Sequence, residues 1–261
     1  MRTLLRVLCA ILVMVLVQPV RASQDDIVVV NVDDANPPFM SGSLNNARGL
    51  YPSIIETVFG MMGARVLVQA MPWKRALSSL DQGVAAVGGL YKTSRRSVLY
   101  DFSEPLFIER VVVVYNVHHP LVFHSLKDLE GKTVGVITSW SYGDAFDQAH
   151  LQGRVHVSAS NSDIQNLGKL ELGRVDAVLA IDEAARNLIH SGGLGDLAVA
   201  PIPLAENPTY LAFNKKLGAR RQLDEFNAGL RELKRTRLYQ KLIDDAMQPA
   251  VCLPPCYGPV H

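Results

Sequence analysis

Residues 88–105 read G-G-L-Y-K-T-S-R-R-S-V-L-Y-D-F-S-E-P, from Gly88 to Pro105. Two glycines close an apolar run, Val84 to Val87, and are followed by Tyr91, Thr93, Ser94 and the pair Arg95 and Arg96. A conformationally permissive turn leading into hydroxyls and a guanidinium suits the holding of an anion, because the planar arginine fork matches a carboxylate. The same composition also fits an exposed turn with two solvated arginines. The chain on either side has to decide between them.

Upstream, β-branched runs at Ile27–Asn31, Val66–Gln69 and Val84–Val87 alternate with helical patterns. Leu50–Met62 carries Ile54, Ile55, Val58, Phe59 and Met62 at helical spacing before Gly63, and Lys74–Leu80 forms a shorter helix. Arg110–Asn116, with four consecutive valines, is the longest strand expected in this half. A second series follows Pro120. Its strands are Lys132–Ile137, Val155–Ser158 and Arg174–Ala180, and its helices Ser141–Leu151, Ser162–Leu172 and Glu183–His190. A last strand, Thr209–Phe213, precedes helices over Ala219–Lys234 and Leu238–Met247. Such alternation implies a mostly parallel sheet covered on both faces, here in two α/β, Rossmann-like lobes. Because the last elements come after the second series is complete, they return to the first lobe. The chain then crosses twice, near 115–120 and 206–210, making a two-strand hinge with a cleft suited to a small ligand. The expected division is 23–116 for the first lobe, 117–206 for the second and 207–248 for the return.

The ends carry different signals. Arg2 and Arg6, the apolar run Val7–Val17 and the small-residue site Val20-Arg21-Ala22 form a secretory signal peptide over residues 1–22. The run is too short to cross a bilayer, which needs about 20 apolar residues. A free, exported protein, not membrane-spanning, is expected. Removing the leader takes three arginines from 26 basic residues and none of the 25 acids, leaving a net charge of −2 without a basic block. That excludes a nucleic-acid footprint. In the tail, 249–261, Cys252 and Cys256 are expected to pair as a local disulfide in an oxidising compartment. A metal site with His261, or at His118-His119, lacks enough ligands at a known spacing, so neither a metal nor a cofactor is expected.

In order, the motifs resemble the periplasmic solute-binding proteins of family 3, the polar amino-acid receptors of ABC importers. The likeness spans about Ile27 to Met247 and rests on Asn36–Phe39 (N-P-P-F), Gly49–Glu56, Met71–Trp73 (M-P-W), Thr93–Arg96, Asp101–Pro105, Ser125–Val136 and Gly173–Val178. The resemblance implies the type II periplasmic binding protein fold. It also implies that Arg96 grips the ligand carboxylate, that Trp73 packs on the ligand, and that Gly88 and Gly89 bring backbone close to it. Arg95 holds a variable position and reads as solvated. Several positions depart from the pattern: Asn36 replaces a covering aromatic, Tyr91 a small hydroxyl residue, and Trp140 and Tyr142 flank the hydroxyl of Ser141. These two aromatics either line the cleft or seat a helix on its sheet. The acid that meets the ligand's amino group falls at Ile181. Asp182, one residue later, serves only if the local loop is shifted, since strand alternation otherwise turns it away.

The resemblance thus implies a non-enzymatic receptor that captures a small anionic solute and delivers it to an inner-membrane ABC permease or a sensor. Two alternatives stand beside it: a dehydratase-like enzyme on the same fold, with Glu56, Glu104 and Asp182 as candidate acids, and a binding protein without a transport role.

Overall fold

The computed structural model describes residues 27–248. The expected signal peptide and the Cys252–Cys256 disulfide lie outside the described residues. The first series builds β1 (Val28–Asp33), a small ribbon of β2 (Ala35–Asn36), β3 (Met40–Ser43) and β4 (Asn46–Arg48), and then α1 (Leu50–Met61). It continues through β5 (Val66–Met71), α2 (Trp73–Gln82), β6 (Ala86–Tyr91), α3 (Ser94–Leu99) and β7 (Tyr100–Phe102). β8 (Phe107–Asn116) leads into the second series: β9 (Thr133–Ile137), α4 (Asp144–Leu151), β10 (His156–Ser160), α5 (Asp163–Glu171), β11 (Ala177–Ile181), α6 (Asp182–Ser191) and β12 (Leu197–Val199). β13 (Ala205–Asn214) then returns the chain to α7 (Arg220–Lys234) and α8 (Arg237–Met247).

The two series build the same unit. In the first, β5, β1 and β6 lie side by side and parallel. In the second, β10, β9 and β11 repeat that order. Each trio is extended by a long antiparallel strand, β13 beside β6 and β8 beside β11, and by a short one, β7 or β12. The long strands pair with each other between the units, from Ala205 opposite Val111 to Thr209 opposite Phe107. They are the two connections of the hinge. β8 changes partners at Val111, inside the strand and ahead of the expected crossing near 115–120.

Packing explains the apolar runs. The four valines of β8 alternate between two cores: Val111 and Val113 meet Val134 and Leu179 on one face, while Val112 and Val114 meet Leu167 and Leu170 on the other. A strand buried on both faces needs a continuous apolar run. In the first lobe, α1 buries Leu50, Tyr51, Ile54, Ile55, Val58 and Phe59, with Phe59 against Phe226 of α7 at 5.4 Å between ring centroids. Each such side chain contributes about 1.5–3 kcal/mol on burial. The α1 start is sharp because Gly49 has φ 110, and a Cβ there would lie 2.6 Å from the Phe39 carbonyl oxygen.

Local expectations change in two places. Gly88 and Gly89 lie within β6, not in a turn after it, so the opening stretch runs strand, α3, then strand β7. The turn-rich segment after β1 folds into the ribbon β2–β4, whose strands are too short to show periodicity.

Candidate functional site

In open α/β sheets, ligands sit beyond the carboxyl ends of the parallel strands. Here those ends carry most of the polar chemistry. Asp33 ends β1, Tyr91 ends β6, Trp73 follows β5, Trp140 and Ser141 follow β9, and Asp163 follows β10. Between the lobes Met40, Trp73, Gly89, Tyr91, Arg96, Glu109, Trp140 and Ser141 line a small cavity of about 10 Å³, room for about one water molecule.

Arg96 is set by its helix cap. Thr93 precedes α3 in an extended conformation, and its Oγ1 accepts the Arg96 backbone N–H at 3.2 Å. The guanidinium Nη1 donates to the Tyr91 carbonyl at 3.0 Å, holding the half-buried side chain at the cavity wall. Burial lowers its pKa, and the nearby Asp147 carboxylate works against that. Arg95 is exposed.

Tyr91 also reaches deeper. Its hydroxyl and that of Tyr51 both donate to the carboxylate of Glu109, which is 2% exposed on β8. Burial pushes Glu109 up to about 8, with the two phenols opposing it and Glu183 and Asp163 adding to it. Asp33, also buried, rises to about 6, chiefly through burial, although it accepts the Trp140 indole N–H at 3.0 Å. Asp163 rises to about 7 by burial, with Asp33 adding.

Three contacts join the lobes. Trp140 of the second lobe bonds Asp33 of the first and meets Trp73 edge-on, with ring centroids 6.2 Å apart. At the rim, the Ser94 hydroxyl donates to Asp144 at 2.8 Å. Ser141 faces the cavity, but its hydroxyl donates to Asp147 at 2.5 Å. Among the described residues, the buried Trp73 indole N–H has no partner.

Six of the nine residues expected at the site thus share one cavity: Arg96, Trp73, Gly89, Tyr91, Trp140 and Ser141. Gly88, Asn36 and Asp182 are not on its wall. A Cβ at Gly88 would lie 2.5 Å from Ile55 Cδ1, so that glycine serves the approach of α1 to the sheet. Gly89, at φ 78, has Tyr51 in the same relation at 2.7 Å. Asn36 is buried in the ribbon opposite Met40, with no partner for its amide among the described residues. Asp182 is held by Arg186 at 2.6 Å and Arg110 at 3.4 Å, while Ile181 packs into the first-lobe core. β11 ends at Ile181 and Asp182 opens α6, where its carboxylate pairs with the two arginines and does not line the cavity. Met40, Glu109 and Asp33 were missed. Asp33 carried a signal, an acid closing a β-branched strand, whereas Met40 and Glu109 carried none within a local window.

A family model described as bacterial extracellular solute-binding proteins, family 3, matches residues 28–248. The L-cystine-binding protein TcyJ of Escherichia coli (strain K12) is 26% identical over 165 residues, 62% of this chain. That match spans only 61% of the length of the relative. The arginine-binding periplasmic protein of Mannheimia haemolytica is 28% identical, over 87% of this chain and 93% of its own. Among solved structures, an ancestral arginine-binding protein bound to arginine superposes with a TM-score of 0.72. It is 23% identical, covering 84% of this chain and 97% of the other, and shows the fold to be that of type II periplasmic binding proteins. Among the described residues, no helix is long and apolar enough to cross a membrane.

Proposed function

The chain belongs to the bacterial extracellular solute-binding proteins of family 3, and we propose that it is a periplasmic receptor for a small carboxylate-bearing solute, an amino acid or a related acid. The observation that carries this reading is Arg96: a half-buried guanidinium, donating to the Tyr91 carbonyl, that faces a cavity whose walls come from both lobes. A ligand there touches Tyr91 and Trp73 from one lobe and Trp140 and Ser141 from the other, so it is enclosed only when the lobes are closed. Binding therefore favours closure about β8 and β13. The aromatic walls suit an apolar or amphipathic body, and the unpartnered Trp73 N–H offers a second donor beside Arg96.

The names of the two relatives, one cystine-binding and one arginine-binding, support an amino acid or close analogue. The leader-like residues 1–22 support export to the periplasm, and the family supports delivery to an inner-membrane ABC permease. A dehydratase reading rested on Glu56, Glu104 and Asp182. None of these lines the cavity, and Glu104 is engaged by Arg231 and Asp182 by Arg186.

Native mass spectrometry of freshly purified protein, followed by thermal-shift screening of L-amino acids, L-cystine and small carboxylates, tests the assignment. A ligand at a hundred times its Kd stabilises by about 2.7 kcal/mol, a rise of roughly 5–10 °C in Tm for a chain of this size. No co-purifying acid and no shift with any of these compounds would refute it.

A further inference from the structure

We propose that Trp140 is a gate over the Arg96 cavity: its indole latches the two lobes together through Asp33 and Trp73, and a solute enters by turning it out. The inference rests on the reading of Arg96 as the carboxylate anchor and adds what controls access to it. The space beside Arg96 has room for about one water molecule, about 10 Å³. Small-molecule sites commonly run to about 300–1,000 Å³. Trp140 also borders a more open pocket of about 350 Å³, lined further by Asp81, Arg95, Tyr100 and Asp147. Arg96, Trp140 and Ser141 stand on both walls. Arg96 is tied to Tyr91 and Ser141 to Asp147, each within its own lobe. The indole is tied across the cleft, so it is the partition that can leave. Its departure joins the two spaces into one of ligand size, with Arg96 at the junction.

The loop that carries Trp140 is built for that movement. Trp140 packs against the cores of both lobes, and its indole N–H donates to Asp33 at 3.0 Å. Its neighbours hold to the second lobe alone: the Ile137 N–H donates to the Tyr142 hydroxyl at 2.9 Å, and the Tyr142 N–H to Asp147 at 3.2 Å. The indole can therefore swing while the loop keeps its seat. The chain turns at Ser139, φ 65, and Gly143, φ 104. Among the described residues, Ser139 is the non-glycine with a left-handed φ, a conformation that persists where adjoining contacts hold it. Trp140, the next residue, makes those contacts. Within its own lobe Trp140 borders a third pocket, about 300 Å³, with Val136, Tyr142, Phe146, Leu151 and Val157 on its wall. That apolar pocket is a seat for the displaced ring. While the gate is shut, apparent affinity falls by the fraction of time it stands open.

The chain has two tryptophans, Trp73 and Trp140, whose rings meet edge-on at 6.2 Å. Their exciton couplet in circular dichroism therefore reads the gate directly. The test uses protein refolded from urea to strip bound solute, with L-arginine, L-cystine, L-phenylalanine and glutarate as probes. The ligand-free wild type should show the couplet and lose it on saturation with any probe that binds. Trp140→Phe keeps a ring but not the N–H that bonds Asp33, and calorimetry should find it binding the same probe about 10-fold or more tightly. A probe that binds only the variant supports the gate equally. No couplet in the ligand-free protein, a couplet that survives saturation, or equal or weaker binding by Trp140→Phe overturns it. The couplet is measured on the wild type, so it decides even if the variant folds poorly. If no probe binds either protein, the Arg96 reading has failed and the gate falls with it. Binding that needs Arg96 but leaves the couplet intact sinks the gate alone.

Discussion

Replacing Glu109 with glutamine removes an ionisable group from the middle of the fold while keeping its shape. The free energy at stake follows from the structure. An unfolded glutamate gives up its proton near 4.5, whereas folded Glu109 holds its proton to about 8. Between those values the folded state binds more protons than the unfolded one, so the stability of the ligand-free protein falls as pH rises. At about 1.4 kcal/mol per pH unit, Glu109 alone should cost the wild type roughly 2–3 kcal/mol between pH 6 and pH 9. Glutamine cannot ionise and does not incur that loss. Asp33 and Asp163 rise in the same way, to about 6 and about 7, but both proteins retain them, so their effect cancels in the difference. The assay is urea unfolding of ligand-free protein, followed by tryptophan fluorescence at several pH values. The variant should gain on the wild type by about 2–3 kcal/mol across this range. Parallel curves would show that Glu109 ionises as freely in the fold as outside it, and the account of its burial would be wrong.

Two further substitutions test other parts of the structure. Gly89→Ala should destabilise by about 2 kcal/mol or more in urea unfolding, because φ is 78 and the new Cβ would lie 2.7 Å from the Tyr51 ring. An unchanged midpoint would mean that β6 does not hold this conformation. Asp182→Asn should leave ligand affinity within about threefold, since its carboxylate is spent on Arg186 and Arg110, and reduce stability by about 1 kcal/mol or less. A large loss of affinity by calorimetry would return Asp182 to the cleft.

Much of the architecture was legible because α/β alternation leaves a strong trace. Strands buried on both faces, such as Val111–Val114, demand unbroken apolar runs, and α1 shows its buried stripe at helical spacing. The order of local motifs also pointed to Arg96, Trp73 and Tyr91, which the fold gathers around one cavity. Glu109 was hidden for a physical reason. In F-I-E-R-V the hydropathy order suggests that Ile108 faces inward and Glu109 outward, yet Ile108 is 55% exposed and Glu109 is 2% exposed. Strand parity places Glu109 with Phe107 and Val111, and only the long-range phenols of Tyr51 and Tyr91 make that burial tolerable. No local window contains that information. The short ribbon β2–β4 and the glycines inside β6 were obscured for a related reason, since their conformations are fixed by neighbours distant in the chain. Asp33 and Asp163 could have been found by asking which polar residues stand at the carboxyl ends of the parallel strands.

The measurement that bears most directly on the Arg96 anchor is the affinity of a bound carboxylate, by calorimetry, for wild type, Arg96→Ala and Arg95→Ala. Loss of a half-buried guanidinium that pairs with the acid should weaken binding by about 3 kcal/mol or more, over 100-fold. The exposed Arg95 should be replaceable with less than about threefold change. Binding that survives Arg96→Ala within tenfold, or that falls equally in both variants, would contradict the assignment of this cavity as the carboxylate site.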